Sequence, residues 1–234
     1  MKPINDAIGL LNSSKKMLVE IETLYKPAVY DDELSFDLKV KIKNFLENIR
    51  SCLDYTANYT FDIHCKSNYS EKELKNNKIY FPIFDGQSYF QKNIKNRFKG
   101  LELDSPIVNL WDKYQLYNDI KWPKQLSKLT NKNKHIELIK NSRTESATIK
   151  HMQFGGITFE NCTFENGKHT ICIDGKPLSI KDFNNNPLIK NFNGHIKANY
   201  TFGETNTPII ETLEEILNGA TTYLTEFITI ISKQ

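Results

Sequence analysis

Leu38, Ile42, Phe45, Leu46, Ile49, Leu53 and Ala57 fall on one stripe of a helical wheel, inside a segment that runs from about Asp32 to Cys65. Helical spacing sustained over that distance predicts one long amphipathic helix. Such a helix cannot bury its apolar face alone, so it requires partners along its whole length. The chain offers several. Ile4, Ala7, Ile8, Leu11, Leu18 and Ile21 predict a helix over 4–26, closed by Pro27. Shorter helices are expected at 88–99, ending at Gly100, at 106–117, and from Pro123 to about Ile139. Near the C-terminus, Thr207 is placed as a helix cap, Pro208 in the first position and Glu211 in the first turn. Ile209, Leu213, Ile216, Leu217, Ala220, Leu224, Phe227, Ile228 and Ile231 then supply a wide apolar face.

Between these helices the pattern changes twice. Residues 66–78 are polar and rich in Lys and Asn, and an exposed loop is expected there. Ile79-Tyr80-Phe81-Pro82-Ile83-Phe84 reads as a short extended piece that ends at the turn signal Asp85-Gly86. From Asn141 to about Phe202 the residues favour strands, with Asn166-Gly167 and Asp174-Gly175 as hairpin turns and Gly155-Gly156 as a further turn signal. A hairpin closed at Asn166-Gly167 would bring Cys162 and Cys172 near each other. Phe159, Phe164 and Tyr200, at strand positions, are expected in the core more readily than as exposed stacking surfaces. The expected fold is α+β: a mainly α-helical bundle with a small antiparallel β insertion before the C-terminal helix. Residues 1–140 form the bundle, 141–206 the insertion, and 207–234 the helix that returns.

The apolar share of 39% and charged share of 25% are those of a globular chain, and disorder is excluded. A net charge of +3 gives no global case for nucleic-acid binding, but Lys121 to Arg143 holds seven Lys or Arg residues against one acid, Glu137. That strip suits phosphates, or forms a solvated helix face. The 25 asparagines and abundant Lys and Ile mark a compositional bias, so a single Lys or Asn carries little information. Four cysteines without C-x-x-C spacing argue against a disulfide scaffold and against a zinc site. No apolar run reaches the roughly 18 residues of a membrane span and Met1 to Leu11 lacks a signal core, so a cytoplasmic protein is expected.

Two polar clusters interrupt the helical pattern. Arg50 and Asp54 lie four residues apart and meet on one helix face beside the apolar stripe, where part burial demands partners. Asn131 and His135 repeat that spacing on a later helix, with Lys134 beside them. Brought together, these groups suit metal-independent phosphodiester cleavage. Arg50 or Lys134 would neutralise the phosphate, and His135 would move protons. Asp54 and Asn131 would orient them. The competing reading is a structural network that ties helices together.

The segments Leu46-Glu47-Asn48-Ile49-Arg50-Ser51-Cys52-Leu53-Asp54-Tyr55, Ile79-Tyr80-Phe81-Pro82-Ile83 and Leu129-Thr130-Asn131-Lys132-Asn133-Lys134-His135 resemble the R-S-x-L-D-H, I-x-F-P-I and L-x-N-x-x-K-H segments of a group of bacterial proteins, in the same order. The helical part is similar to HEPN domains, over roughly residues 30–140. The resemblance implies a helical bundle that dimerises, and an RNA-associated protein that is a candidate metal-independent endoribonuclease of a bacterial defence or toxin-type system. It implies no cofactor and no metal. Arg50, Asp54 and His135 would be catalytic, and Asn131, Lys132, Lys134 and Tyr55 would contact substrate. Where the R-x4-H pattern has histidine this chain has Tyr55, a phenol with a pKa near 10 and a poor base at neutral pH. The alternative is a non-catalytic protein- or nucleotide-binding module in which Arg50, Asp54 and His135 form a structural network and the β insertion meets a protein partner.

Overall fold

In the computed structural model, residues 2–28, 33–133, 141–165, 172–173, 176–177, 183 and 186–233 are described. The chain is α+β. Among the described residues its elements are α1 (Lys2–Ala28), α2 (Phe36–Thr60), α3 (Glu71–Asn76), α4 (Gln87–Arg97), α5 (Pro106–Lys113), α6 (Lys121–Asn133) and α7 (Ile209–Ile231), with strands β1 (Asn141–Phe154), β2 (Ile157–Glu165), β3 (Cys172–Ile173), β4 (Lys176–Pro177), β5 (Ile189–Phe202) and β6 (Thr207–Pro208). They divide into two compact units. One comprises Met1–Thr23, Phe36–Ile139 and Ile210–Gln234; the other comprises Leu24–Ser35 and Lys140–Ile209.

In the first unit the expected stripe of α2 is buried: Leu38, Ile42, Phe45, Leu46, Ile49, Leu53 and Ala57 are all in the core. The helix ends earlier than its apolar spacing suggests, because Phe61–Cys65 widens into a π turn and Lys66–Asn68 tightens into a 3-10 turn. Residues 66–78 are not a plain loop. Ser70 caps α3 through a capping box with Glu73, a local signal that the polar composition masked. Pro27 lies inside α1 instead of closing it. Gly100 sits beyond the end of α4 at φ +92°, where a side chain is strained.

An aromatic cluster fills the centre of this unit. The Phe81 ring stands edge-on to Trp111 and Tyr223, at centroid distances of 5.9 and 5.3 Å. Tyr223 is fully buried, so its hydroxyl needs partners. Trp111 Nε1 donates to it at 3.1 Å. Thr56 Oγ1 donates to the Leu53 carbonyl at 2.7 Å, so the 2.7 Å bond between Tyr223 and Thr56 runs from the phenol to the threonine. This chain of bonds joins α5, α7 and α2. Gly219 completes the packing, since a Cβ there would stand 2.3 Å from the Trp122 ring.

In the second unit, an antiparallel sheet of order β2-β1-β5-β6 carries the structure, and β3 and β4 pair separately. β1 and β2 are joined by Gly155-Gly156, both at positive φ, in a two-residue turn between the paired Phe154 and Ile157. Left-handed backbone at both central positions matches the twist of a tight hairpin and favours glycine. The expected closure at Asn166-Gly167 lies outside the described residues, as does Asp174-Gly175. Cys162 pairs across to Ile149, whereas Cys172 pairs with Pro177 in the separate two-stranded sheet. Ala147, Ile149, Met152 and Phe183 form the core of this unit, with Phe159 and Phe164 packed against them. The Tyr25 hydroxyl accepts from the Tyr200 backbone N–H at 2.7 Å, which places the last turn of α1 in this unit. Thr207 and Pro208 pair as a strand with Phe202 and Thr201, so α7 begins at Ile209 and not at a Thr207 cap.

Replacing Tyr223 by Phe removes the acceptor for Trp111 Nε1 without changing ring volume. It is expected to lower stability by about 1–3 kcal/mol, the typical cost of a buried unsatisfied donor, measured by urea denaturation; an unchanged midpoint would show that the hydroxyl chain does not hold the helices.

Candidate functional site

Residues 77–84 belong to no helix and pair with no strand among the described residues. Phe81 and Pro82 are buried, so their peptide groups need partners that a sheet would otherwise supply. Side chains supply them. Asp54 Oδ1 accepts from the Phe81 N–H at 2.8 Å, and Arg50 Nη2 donates to the Phe81 carbonyl at 3.2 Å. One turn further along α2, Asn58 Nδ2 donates to the Ile79 carbonyl at 3.2 Å. Arg50, Asp54 and Asn58 recur every four residues, so one face of α2 reads the segment as an adjacent strand would.

From the other side Gln115, fully buried just beyond α5, accepts from the Phe84 N–H at 2.9 Å and donates to the Pro82 carbonyl at 2.8 Å. Leu116 N–H closes on the Phe84 carbonyl at 3.2 Å, and Arg97 Nη1 reaches the Lys78 carbonyl at 3.2 Å. Arg50 and Asp54 therefore hold one another (Nε to Oδ1, 3.5 Å) as part of a clamp, with side chains 16% and 21% exposed.

The outer side of the clamp opens into a cleft of about 250 Å³ lined by Arg50 of α2, Tyr80 to Phe84 of the clamped segment, Asn93 and Arg97 of α4, and Ser127 and Asn131 of α6. Arg50 and Asn131, expected to converge, do line one cleft. Asn131 is exposed, and its amide donates to Ser127 Oγ at 3.2 Å. Asp54 is not among the lining residues, and neither is Tyr55, which stands on α2 with 38% of its surface exposed. Lys134 and His135 lie outside the described residues, and so does the side chain of Lys132. Arg50 keeps Nη1, and Arg97 keeps Nε and Nη2, without a protein partner among the described residues.

The segments that carry α4 and α6, two of the helices lining this cleft, are rich in cations. Residues 66–99 and 121–133 together carry 12 Lys or Arg against three Asp or Glu, while the rest of the chain carries 19 against 25. Sequence reasoning missed Asn58, Gln115 and Arg97. The four-residue recurrence that includes Asn58 was visible as a pattern; Gln115 and Arg97 carry no such signal, because each acts on a segment about 20 to 30 positions away.

Among the described residues, no cluster of His, Cys, Asp and Glu is placed to hold a metal ion, and no helix is long and apolar enough to cross a membrane. Burial pushes the Cys52 thiol up to about 12 and the Cys65 thiol up to about 11, so neither forms a thiolate at neutral pH. No family model, no curated protein and no solved structure matches the chain.

Asp54→Ala leaves the Phe81 N–H without an acceptor and is expected to lower stability by about 1–3 kcal/mol. Asp54→Asn keeps an oxygen for that N–H and should lose less; equal losses in chemical denaturation would argue against the backbone bond as the main role of Asp54. Alkylation of the native protein near neutral pH is expected to label exposed Cys172 and to spare Cys52 and Cys65 until denaturant is added. Mass-spectrometric mapping checks this, and early labelling of Cys52 would contradict its burial.

Proposed function

We propose that this chain is an RNA-associated protein of HEPN-like type that binds the phosphodiester backbone in the cleft between α2, α4 and α6. The observation that supports this most directly is the pairing of Arg50 and Arg97 in one cleft with the amides of Asn93 and Asn131 and the Ser127 hydroxyl. Guanidinium groups suit phosphate oxygens because their planar donors match them in pairs. Asp54 and the Phe81 carbonyl fix the Arg50 head before any ligand arrives, which lowers the ordering cost of binding. The excess of lysines on the segments that carry α4 and α6 favours a polyanion over a neutral ligand.

Binding is favoured over cleavage by the chemistry of the lining. Among the described residues the cleft is lined by no histidine, cysteine or carboxylate, and metal-independent cleavage needs a proton-transfer group. Within this reading Arg50 and Asp54 form a positioning clamp, as in a non-catalytic module. Endonuclease activity would depend on His135.

Fluorescence anisotropy with a short labelled single-stranded RNA is expected to show salt-dependent binding. Arg97→Ala should weaken it several-fold and reduce the slope of log K against log salt by about 0.7, the value of one lost phosphate contact on a single strand. Unchanged affinity in Arg97→Ala would remove this cleft as the binding site. Incubation of RNA with the protein in EDTA should leave the RNA intact; cleavage that His135→Ala abolishes would replace the binding reading with the enzymatic one.

A further inference from the structure

Resting on the phosphate-binding reading of the cleft, we infer that the site takes one unstacked nucleotide residue, with its base against the Tyr80 ring and its phosphate on Arg97 and Arg50. Tyr80 sits in the middle of the clamped segment, yet 53% of it is exposed, while its neighbours Phe81 and Pro82 are buried. It lines the same cleft as both arginines. An aromatic ring held in the open beside cationic groups matches a stacking platform, because every nucleobase presents a π face and every nucleotide a phosphate close to it. The Lys78, Ile79, Phe81 and Pro82 carbonyls each accept a hydrogen bond from the clamp, and the Phe81 N–H donates one to it. The Tyr80 N–H and carbonyl have no partner among the described residues. Such a donor and acceptor on one residue suit the hydrogen-bonding edge of a base.

The cleft volume narrows the ligand further. About 250 Å³ falls below the roughly 300–1,000 Å³ of sites that enclose a drug-sized molecule. An open cleft of that size suits a single nucleotide residue, with the rest of a chain outside it. Bases inside a duplex are stacked on their neighbours and closed to the Tyr80 ring. The shared chemistry is thus a nucleoside monophosphate unit, supplied either by an unpaired RNA strand or by a free nucleotide.

The test compares the full-length protein with Tyr80→Ala, Tyr80→Trp and Arg97→Ala, each first checked for an unchanged melting temperature. Binding to a single-stranded RNA ten-mer and to a duplex of equal length is read by anisotropy. Competition then uses AMP, UMP, ribose 5-phosphate and inorganic phosphate. Tyr80→Ala is expected to weaken single-strand binding roughly tenfold, as for loss of one stacked base, with Tyr80→Trp close to wild type. Duplex binding should be weaker than single-strand binding and indifferent to Tyr80. AMP and UMP should compete better than ribose 5-phosphate, which lacks the base. Mononucleotide binding that depends on Tyr80, without RNA binding, identifies the free nucleotide as the source and supports the inference. Wild-type affinity in Tyr80→Ala, or equal competition by ribose 5-phosphate and AMP, overturns it. If Arg97→Ala still weakens binding in that case, the phosphate reading stands and the base reading alone falls; if Arg97→Ala also has no effect, both fall.

Discussion

A stretch of backbone that belongs to neither helix nor sheet, buried inside a helical unit, poses a problem of unpaired peptide groups. In water-accessible loops the solvent answers it. Around Phe81 and Pro82, which are buried, the answer has to come from protein. Here it comes from Asp54, Arg50 and Asn58 on one side and Gln115 and Leu116 on the other. The packing of Phe81 against Trp111 and Tyr223 depends on that backbone staying in place. So do the aromatic cluster, the hydroxyl chain from Trp111 to Thr56, and the mutual placement of α2, α5 and α7.

The same clamp explains why a half-buried ion pair persists in α2. An isolated pair at positions i and i+4 contributes little, and burying it partly would be unfavourable without further bonds. Each member here has a backbone partner on Phe81, so neither charge is left to a single contact. Fixing Arg50 from behind also fixes the orientation of its remaining donors at the cleft. Stability and recognition therefore meet in one side chain. Loss of Arg50 would disturb both, which makes Arg97 and Tyr80, exposed and outside the aromatic core, the cleaner probes of binding.

The second unit obeys ordinary sheet rules. β1 alternates buried and exposed positions until register shifts between Ile149 and Gln153, and Gly155-Gly156 closes its hairpin. Phe159 and Phe164, which carry the aromatic character of β2, are partly buried and pack against its core. Arg143 and Glu145 form an ion pair on β1, with the Glu145 side chain buried. The phosphate-binding reading draws on none of this unit's residues; the cationic excess and the cleft both lie in the helical unit.

Much of this was written in local pattern. The stripe of α2, the antiparallel strands before α7 and the polar spacing of Arg50 and Asp54 all follow from residue periodicity and the chemistry of neighbours. What Arg50 and Asp54 bind did not follow. A carboxylate and a guanidinium one turn apart look the same in sequence whether they await a substrate or a peptide group. Only tertiary structure places the Phe81 backbone within 3.2 Å of both, brings Gln115 up from the far side, and sets Arg97 and Tyr80 around one opening. The physical reason is that periodicity reports which face of an element is buried, whereas the partner of a buried polar group is chosen by chain segments tens of residues away.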